Sequence, residues 1–313
     1  MRLRLIDADT ETVLAETESP YGIAATFELW KKNGIIEKGK LSFYTSVLTE
    51  HLQLLEKKSG TSLENVPFII SGMASSNIGM TELPYKEIPF SANAENLQVK
   101  IIEAANDFDH TIVLISGVRT TDDIMRGEET QLLGSINEKD KEEQVFIFPG
   151  THSKHVRVKD GKVVDFKTYM TGEFFELLST KSILSSSVKE QPDLLYGDFL
   201  KNFEKGVHEG AHSNLLHSAF STRTNDVFGK LTKEENYYYL SGLLIGTELK
   251  ELVNEKTTIT IVGNETISKY YIAGLKKLGL AEIKYCNAAN AVKQGHCKIY
   301  KLYQSNLKTK SII

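Results

Sequence analysis

Four short apolar runs, each stopped at a glycine, constrain this chain more than any other feature. VPFIIS (66–71) runs into Gly72, TIVLIS (111–116) into Gly117, QVFIF (144–148) into Pro149-Gly150, and TITIV (258–262) into Gly263. Apolar runs this short, bounded by turn signals, read as buried strands, and a terminal glycine lets the backbone turn or a ligand approach it closely. Amphipathic helical stretches alternate with them. The clearest is Leu41–Lys57, with Phe43, Val47, Leu48, Leu52 and Leu55 at helical spacing; others are Met125–Leu133, Tyr237–Val253, Tyr270–Leu278 and Ala288–Tyr300. Thr171 is placed to N-cap a helix carrying Phe174, Phe175, Leu177 and Leu178. Ser182–Glu190 reads as a loop or short helix, Leu97–Ala105 mixes strand and helix signals, and Ile283–Tyr285 is a last strand.

Each half also carries a hairpin. Leu3 and Leu5 alternate with Arg2 and Arg4, a polar turn follows, and Val13-Leu14 resumes the strand pattern. Further on, Asp160-Gly161 joins His155–Val158 to Val163–Phe166, a strong hairpin signal. Strands alternating with helices in both halves predict an α/β fold in two similar lobes. At 313 residues the chain is too long for one comfortable core. The spacing predicts an N-terminal lobe over residues 1–140 and a C-terminal lobe over 141–313, with the boundary near Lys139–Glu143.

Composition excludes some partners. A net charge of -4 gives no basic surplus for nucleic acid or an anionic membrane, and Lys308 and Lys310 make only a solvated tail. Cys286 and Cys297 form no C-x-x-C pair, and the histidines do not cluster at ligand spacing, which argues against zinc and fits a reducing compartment. No apolar leader or 18-residue apolar run is present, so the expected location is cytoplasmic, with no membrane contact.

Five segments carry candidate chemistry. In FPGTHSK (148–154) a strand stops at Pro-Gly and a tip of hydroxyls and a lysine precedes a hairpin. Gly150 admits a ligand to the backbone, Thr151 and Ser153 can donate to oxyanions, and Lys154 adds a charge. A phosphate cradle and a plain polar turn explain it about equally well. The chain has no G-x-x-x-x-G-K-[ST] loop. In MRGEETQLL (125–133) a helix starts just after Gly127, with Glu128 and Glu129 in its first turn, where the helix dipole favours anions. Adjacent helical positions point about 100° apart, so one can face a cleft as a base while the other is structural. Alone, an acidic first turn of a surface helix explains the pair more simply. SGMASSNIGM (71–80) opens a strand into small hydrogen-bonding residues that suit a small-molecule pocket or any exposed turn. TIVGN (260–264) ends a strand in glycine before a helix, a weak nucleotide signal. AANAVKQG (288–295) is a small-residue helix that suits a hinge or close core packing.

Taken in order, GMASSNIGM with ELPY, MRGEETQLLG, FPGTHSKHV, DFKTYMTGEFFELL and YLSGLLIGTEL resemble the 2-dehydro-3-deoxygalactonokinase family from about Ser71 to Gly295. MRGEETQ followed by PGTHSK is the specific part. The resemblance implies the actin/hexokinase-like ATPase plan, two RNase H-like lobes around a nucleotide cleft, binding ATP and Mg²⁺. It implies ATP-dependent phosphorylation of the 6-hydroxyl of 2-dehydro-3-deoxygalactonate in galactonate breakdown. On that reading Gly150, Thr151, His152, Ser153 and Lys154 are the second phosphate element, and Gly263 and Asn264 are the adenosine element. Glu128-Glu129 lies on the first connecting helix, and 288–295 lies on the second. Phosphoryl transfer needs a carboxylate for the hydroxyl proton, which points to Glu128, with Glu129 second. A sugar acid needs a cation, from Arg126 or Arg119, and donors, from Ser75, Ser76 and Asn77. The metal ligands stay unidentified, and homo-oligomerisation stays open.

The family opens with a strand and an Asp-x-Gly-[Ser/Thr] turn that binds phosphate. No such turn occurs here, and Met1–Asp7 matches the family's second strand. A strand and its turn, roughly ten residues, are thus expected to be missing, through a misplaced start or a real loss. The first fits better, because every downstream segment is intact. Two alternatives follow: an ATP or polyphosphate hydrolase of the same fold, or a non-catalytic sugar-acid or nucleotide sensor, which the missing turn would suit.

Overall fold

The computed structural model describes residues 1–34, 39–105, 107–137, 140–190 and 195–310, with 306–310 described by backbone only. The chain forms two compact units, Met1–Glu138 with Asn290–Ile313, and Lys139–Ala289. The C-terminal segment from Asn290 therefore belongs with the first unit. Residues 138–139, at the expected boundary, and the side chains of Lys308 and Lys310 lie outside the described residues.

The first unit is mixed α/β. Strands β1 (Arg2–Ile6) and β2 (Val13–Glu18) form the expected antiparallel hairpin. Helices α1 (Ile23–Lys32) and α2 (Lys40–Ser59) follow. Strand β3 (Phe68–Ile70) comes next, then the short strands β4 (Lys86–Glu87) and β5 (Phe90–Ser91), then β6 (Val99–Ile102) and β7 (Ile112–Ile115). The mixed signal of 97–105 thus resolves as strand. β7 is fully buried and forms the middle of a sheet, parallel to β3 and antiparallel to β6. One side of α2 closes over this core through Tyr44 and Leu48, which pack with Ile112, Leu114 and Met80. Strands β8 (Val118–Arg119) and β9 (Ile124–Met125) pair antiparallel and lead into α3 (Glu128–Ser135).

The second unit is built on one sheet. Strands β10 (Gln144–Phe148), β11 (Ser153–Lys159) and β12 (Lys162–Tyr169) are an antiparallel meander. Asp160 and Gly161 take φ of 51° and 68° at the turn between β11 and β12, as the Asp-Gly signal predicts. Helices α4 (Thr171–Thr180), α5 (Gly197–His212), α6 (Leu215–Val227) and α7 (Lys233–Leu249) come next. Strand β13 (Thr258–Gly263), helix α8 (Glu265–Lys277) and strand β14 (Ile283–Asn287) complete the unit, and α9 (Ala288–Lys310) leads out of it. β13 adds parallel to β10, and β14 adds parallel to β13. The five strands therefore run in the order β14-β13-β10-β11-β12. Burial on both faces explains why QVFIF and TITIV read as continuous apolar runs. Val145, Ile147, Ile259 and Ile261 meet Phe203 and Val207 of α5, Ile245 and Leu249 of α7, and Tyr271 of α8 in one core.

Thr171 does not cap α4. The N-cap is Met170, and Thr171 is the first helical residue, its hydroxyl turned inward to a buried glutamate. The helix begins one residue earlier than the capping signal implies, which leaves the Thr171 hydroxyl free to donate to a charged acceptor.

Candidate functional site

In the first unit the candidate residues meet where the 72–80 loop adjoins α3. Gly72 and Gly127 both take positive φ, 81° and 115°, and a side chain on Gly127 would lie 3.5 Å from the Gly72 Cα. The loop is closed on itself. The Met80 amide donates to the Ala74 carbonyl at 2.8 Å, and a Cβ on Gly79 would fall 2.2 Å from that oxygen. Ser75 and Ser76 are buried, their hydroxyls donating back to the carbonyls of Gly72 and Met73, while Asn77 is exposed. Two side chains of α2 clamp the far end. Lys40 Nζ donates to the Asn77 carbonyl at 2.6 Å, and the Tyr44 hydroxyl donates to that of Ile78 at 2.5 Å.

Arg126 joins this loop to the helix. Its Nη1 donates to the carbonyl of Ser75 at 2.7 Å and to the Ser75 hydroxyl, while Nη2 reaches the Leu83 carbonyl at 3.4 Å. The guanidinium lies 4.2 Å from the centre of the Tyr85 ring. Arg119 sits elsewhere: it pairs with Glu87, and its side chain is about half exposed.

The two glutamates of α3 diverge as adjacent helical positions must. Glu128 is half-buried, with one oxygen accepting the Arg126 amide at 3.1 Å. Glu129 is 0% exposed; it accepts the Gly127 amide at 2.6 Å and the Thr130 hydroxyl at 3.1 Å. Burial pushes the Glu129 carboxyl up to about 7, against the Gly127 amide, which favours the charged form; the charge of Glu128 adds to the rise. At neutral pH one carboxyl of this pair is thus poised between protonation states. Behind α3, His296 of α9 holds the Ser71 hydroxyl at 2.9 Å, so the residue that opens the loop is also tied to the last helix.

In the second unit the β10–β11 turn forms the other candidate element. Gly150, Thr151 and His152 are exposed at its tip. The Glu173 amide of α4 donates to the Thr151 carbonyl at 3.1 Å, and His152 Nε2 pairs with the Glu173 carboxylate at 2.5 Å. Lys154 is buried, with Nζ donating to the His152 carbonyl at 2.9 Å. The Ser153 hydroxyl is fully buried and donates to Glu248 at 2.7 Å, so only its backbone belongs to the exposed tip. Near this turn, a Cβ on Gly263 would lie 3.6 Å from Pro149 Cδ. Asn264 caps α8 by accepting the Ile267 amide at 2.9 Å, and the Tyr285 hydroxyl donates to the Gly263 carbonyl at 3.3 Å. Gly263-Asn264 and the 150–154 loop are therefore neighbours at the ends of adjacent parallel strands, where ligands of α/β sheets bind.

Sequence reasoning missed Glu248. It is the one charged residue in the run YLSGLLIGTEL, and that isolation is the signal that marks it.

Comparison with known proteins decides the family. The sequence profile of the 2-keto-3-deoxy-galactonokinase family matches residues 1–299. This chain belongs to that family. The 2-dehydro-3-deoxygalactonokinase of Escherichia coli (strain K12) is 31% identical over 225 residues, 69% of this chain and 72% of that protein. A Rhizobium meliloti (strain 1021) protein with a provisional name of the same kind is 32% identical over 272 residues, 84% of this chain and 85% of its own length. A crystal structure of a Sinorhizobium meliloti protein, also provisionally a 2-dehydro-3-deoxygalactonokinase, superposes with a TM-score of 0.78 at 28% identity, covering 94% of this chain and 90% of that one. Membership makes the chain a sugar-acid kinase, a phosphotransferase acting on an alcohol group. No described helix is long and apolar enough to cross a membrane.

Proposed function

We propose that this kinase transfers the γ-phosphoryl group of ATP to the 6-hydroxyl of 2-dehydro-3-deoxygalactonate, in the cytoplasm, as a step of galactonate breakdown. The hydrolase and sensor alternatives draw no support from the family match. The observation that carries the reading is the link through Arg126. It joins the 72–80 loop, in which Ser75 and Ser76 are buried and Asn77 is exposed, to the first turn of α3, where the half-buried Glu128 carboxylate accepts the Arg126 amide.

On this reading the 72–80 loop and a cation, Arg126 or Arg119, receive the sugar acid. Arg126 chiefly fixes the loop, because its terminal nitrogens already hold Ser75 and Leu83. Glu128 accepts the proton of the attacking hydroxyl as the new O–P bond forms and the bond to the β-phosphate oxygen breaks, releasing ADP. Glu129 is the second carboxylate, held inside. The 150–154 loop receives the phosphates and Gly263-Asn264 the adenosine. Magnesium arrives with the nucleotide as MgATP. In such a complex the ion is held largely by phosphate oxygens and water. The order of the second unit's sheet, an antiparallel meander followed by two parallel strands, is consistent with an RNase H-like lobe.

The test is ADP production dependent on the sugar acid, measured for the unaltered chain and for Glu128→Gln. Glu128→Gln should lower kcat by about 10²-fold or more with little change in either KM. A rate near that of the unaltered enzyme would remove Glu128 as base. Substrate-independent phosphate release would replace the kinase reading with a hydrolase.

A further inference from the structure

Glu248 sits on α7 among core residues at 2% exposure. A carboxylate there is costly unless its oxygens are fully satisfied, and here each oxygen accepts two hydrogen bonds. One takes Ser153 Oγ at 2.7 Å and His155 Nε2 at 2.8 Å. The other takes the Thr171 hydroxyl and the Tyr271 hydroxyl, the latter at 2.7 Å. The four donors come from β11, α4 and α8, so three elements converge on one side chain of a fourth. Tyr271 stays a donor: burial first, and the Glu248 charge next, hold its hydroxyl well above the ordinary range.

Two of these donors bracket the 150–154 loop. Ser153 is its inner end. Thr171 heads α4, and the next two residues of α4 hold the rest of the loop. Gly172 abuts the Gly150 carbonyl, while Glu173 binds the Thr151 carbonyl through its amide and His152 through its carboxylate. The exposed tip is thus tied to Glu248 from both sides.

We propose that Glu248 is a positioning residue for nucleotide binding, holding the 150–154 loop and the head of α4 in a fixed mutual register so that the loop is pre-shaped for phosphate. This rests on the reading of that loop as the phosphate element. A phosphate site that is ordered in advance spares the cost of ordering it on binding, so the effect of loosening it falls on ATP rather than on the sugar acid.

The test varies ATP and the sugar acid in turn. Glu248→Gln keeps an acceptor but removes the charge that strengthens all four bonds. It should raise the KM for ATP about tenfold and leave the KM for the sugar acid within about twofold. Ser153→Ala should act in the same direction, and the double variant should raise the KM for ATP by less than the product of the two single effects, because the Ser153–Glu248 bond is lost or weakened in both. Equal rises in both KM values, additive effects, or a fall in kcat alone would overturn the proposal; the last is what a mere loss of folded protein gives. Tyr271→Phe removes a single donor and keeps the ring, so it serves if Glu248→Gln fails to fold; it must show a smaller rise confined to ATP. If the unaltered chain makes no ADP with the sugar acid, the kinase reading fails by itself and calorimetric titration with ATP decides. Weaker binding by Glu248→Gln than by the unaltered chain supports the proposal, while equal binding, or no ATP binding by the unaltered chain, overturns it.

Discussion

Gly134 of α3 and Ala291 of α9 bring two helix backbones into direct contact: a Cβ on Gly134 would lie 1.8 Å from the Ala291 carbonyl oxygen. The contact is reciprocal one turn away, where a Cβ on Gly295 would lie 2.0 Å from the Thr130 carbonyl. Both neighbours are backbone, so neither can swing aside. Gly134→Ala gains about 1 kcal/mol of helix propensity, but it forces apart two helices that carry Glu129 and His296. A net loss of about 2–3 kcal/mol is expected for it and for Gly295→Ala. The check is a lower urea midpoint with an unchanged slope; an unchanged midpoint would mean the crossing opens at no cost.

That crossing also holds two groups with opposed pH behaviour. Glu129 is raised to about 7 by burial, so the stability it contributes is full below 4.5 and is lost as pH rises through 7. His296 is lowered to about 4, by burial first and the Arg4 charge second, so its contribution is full above 6.5 and is lost as pH falls through 4. Each gap is worth about 3 kcal/mol, and across the shared window the two nearly cancel. Removing either should expose the other. Relative to the unaltered chain, Glu129→Gln should gain stability as pH rises from 4.5 to 7, and His296→Asn as pH falls from 6.5 to 4. Urea denaturation at stepped pH reads both difference curves; flat curves would mean both groups titrate as in the unfolded chain.

Arg126 offers a test of the sugar-acid loop. Lysine preserves the charge but not the planar fork that grips Ser75 at two atoms and stacks on Tyr85. Arg126→Lys should cost about 1–2 kcal/mol of stability. It should also raise the KM for the sugar acid about tenfold while the KM for ATP stays put. A shift in both constants would place Arg126 in general folding rather than in substrate binding.

What the sequence made legible was local. A glycine after each apolar run marked four strand ends, Asp160-Gly161 marked a turn, and Gly127 marked the start of α3. The resemblance carried the family. What stayed hidden depends on partners distant in sequence. α1, α5 and α6 went unread. In α5 the cause is visible: Gly206 and Gly210 look like helix breakers, yet they let α5 press on Gly242 and Gly246 of α7, where any Cβ would meet backbone at 2.0–2.2 Å. Thr171 looked like a cap because its true acceptor, Glu248, lies 77 residues away. The same distance hid Glu248 itself, whose other bonds to β11 span 95 and 93 residues.

Gly172 gives the sharpest steric test of the loop. Alanine is welcome in a helix, and Gly172 does not take positive φ, so the backbone itself raises no objection. The obstacle is the loop: a Cβ would fall 2.6 Å from the Gly150 carbonyl oxygen and 2.7 Å from the Thr151 Cα. The loop cannot retreat inward, because Ser153 is held by Glu248. It must lift outward, which stretches the bond from the Glu173 amide to the Thr151 carbonyl and draws His152 off the Glu173 carboxylate. Gly172→Ala should therefore fold with little loss, because α4 gains propensity as the loop strains. The KM for ATP should rise about tenfold with the sugar-acid KM unchanged. Kinetics with each substrate varied, beside a thermal melt, decide it. A melt lowered by many degrees with both KM values intact would mean that the strain goes into α4 rather than into the loop.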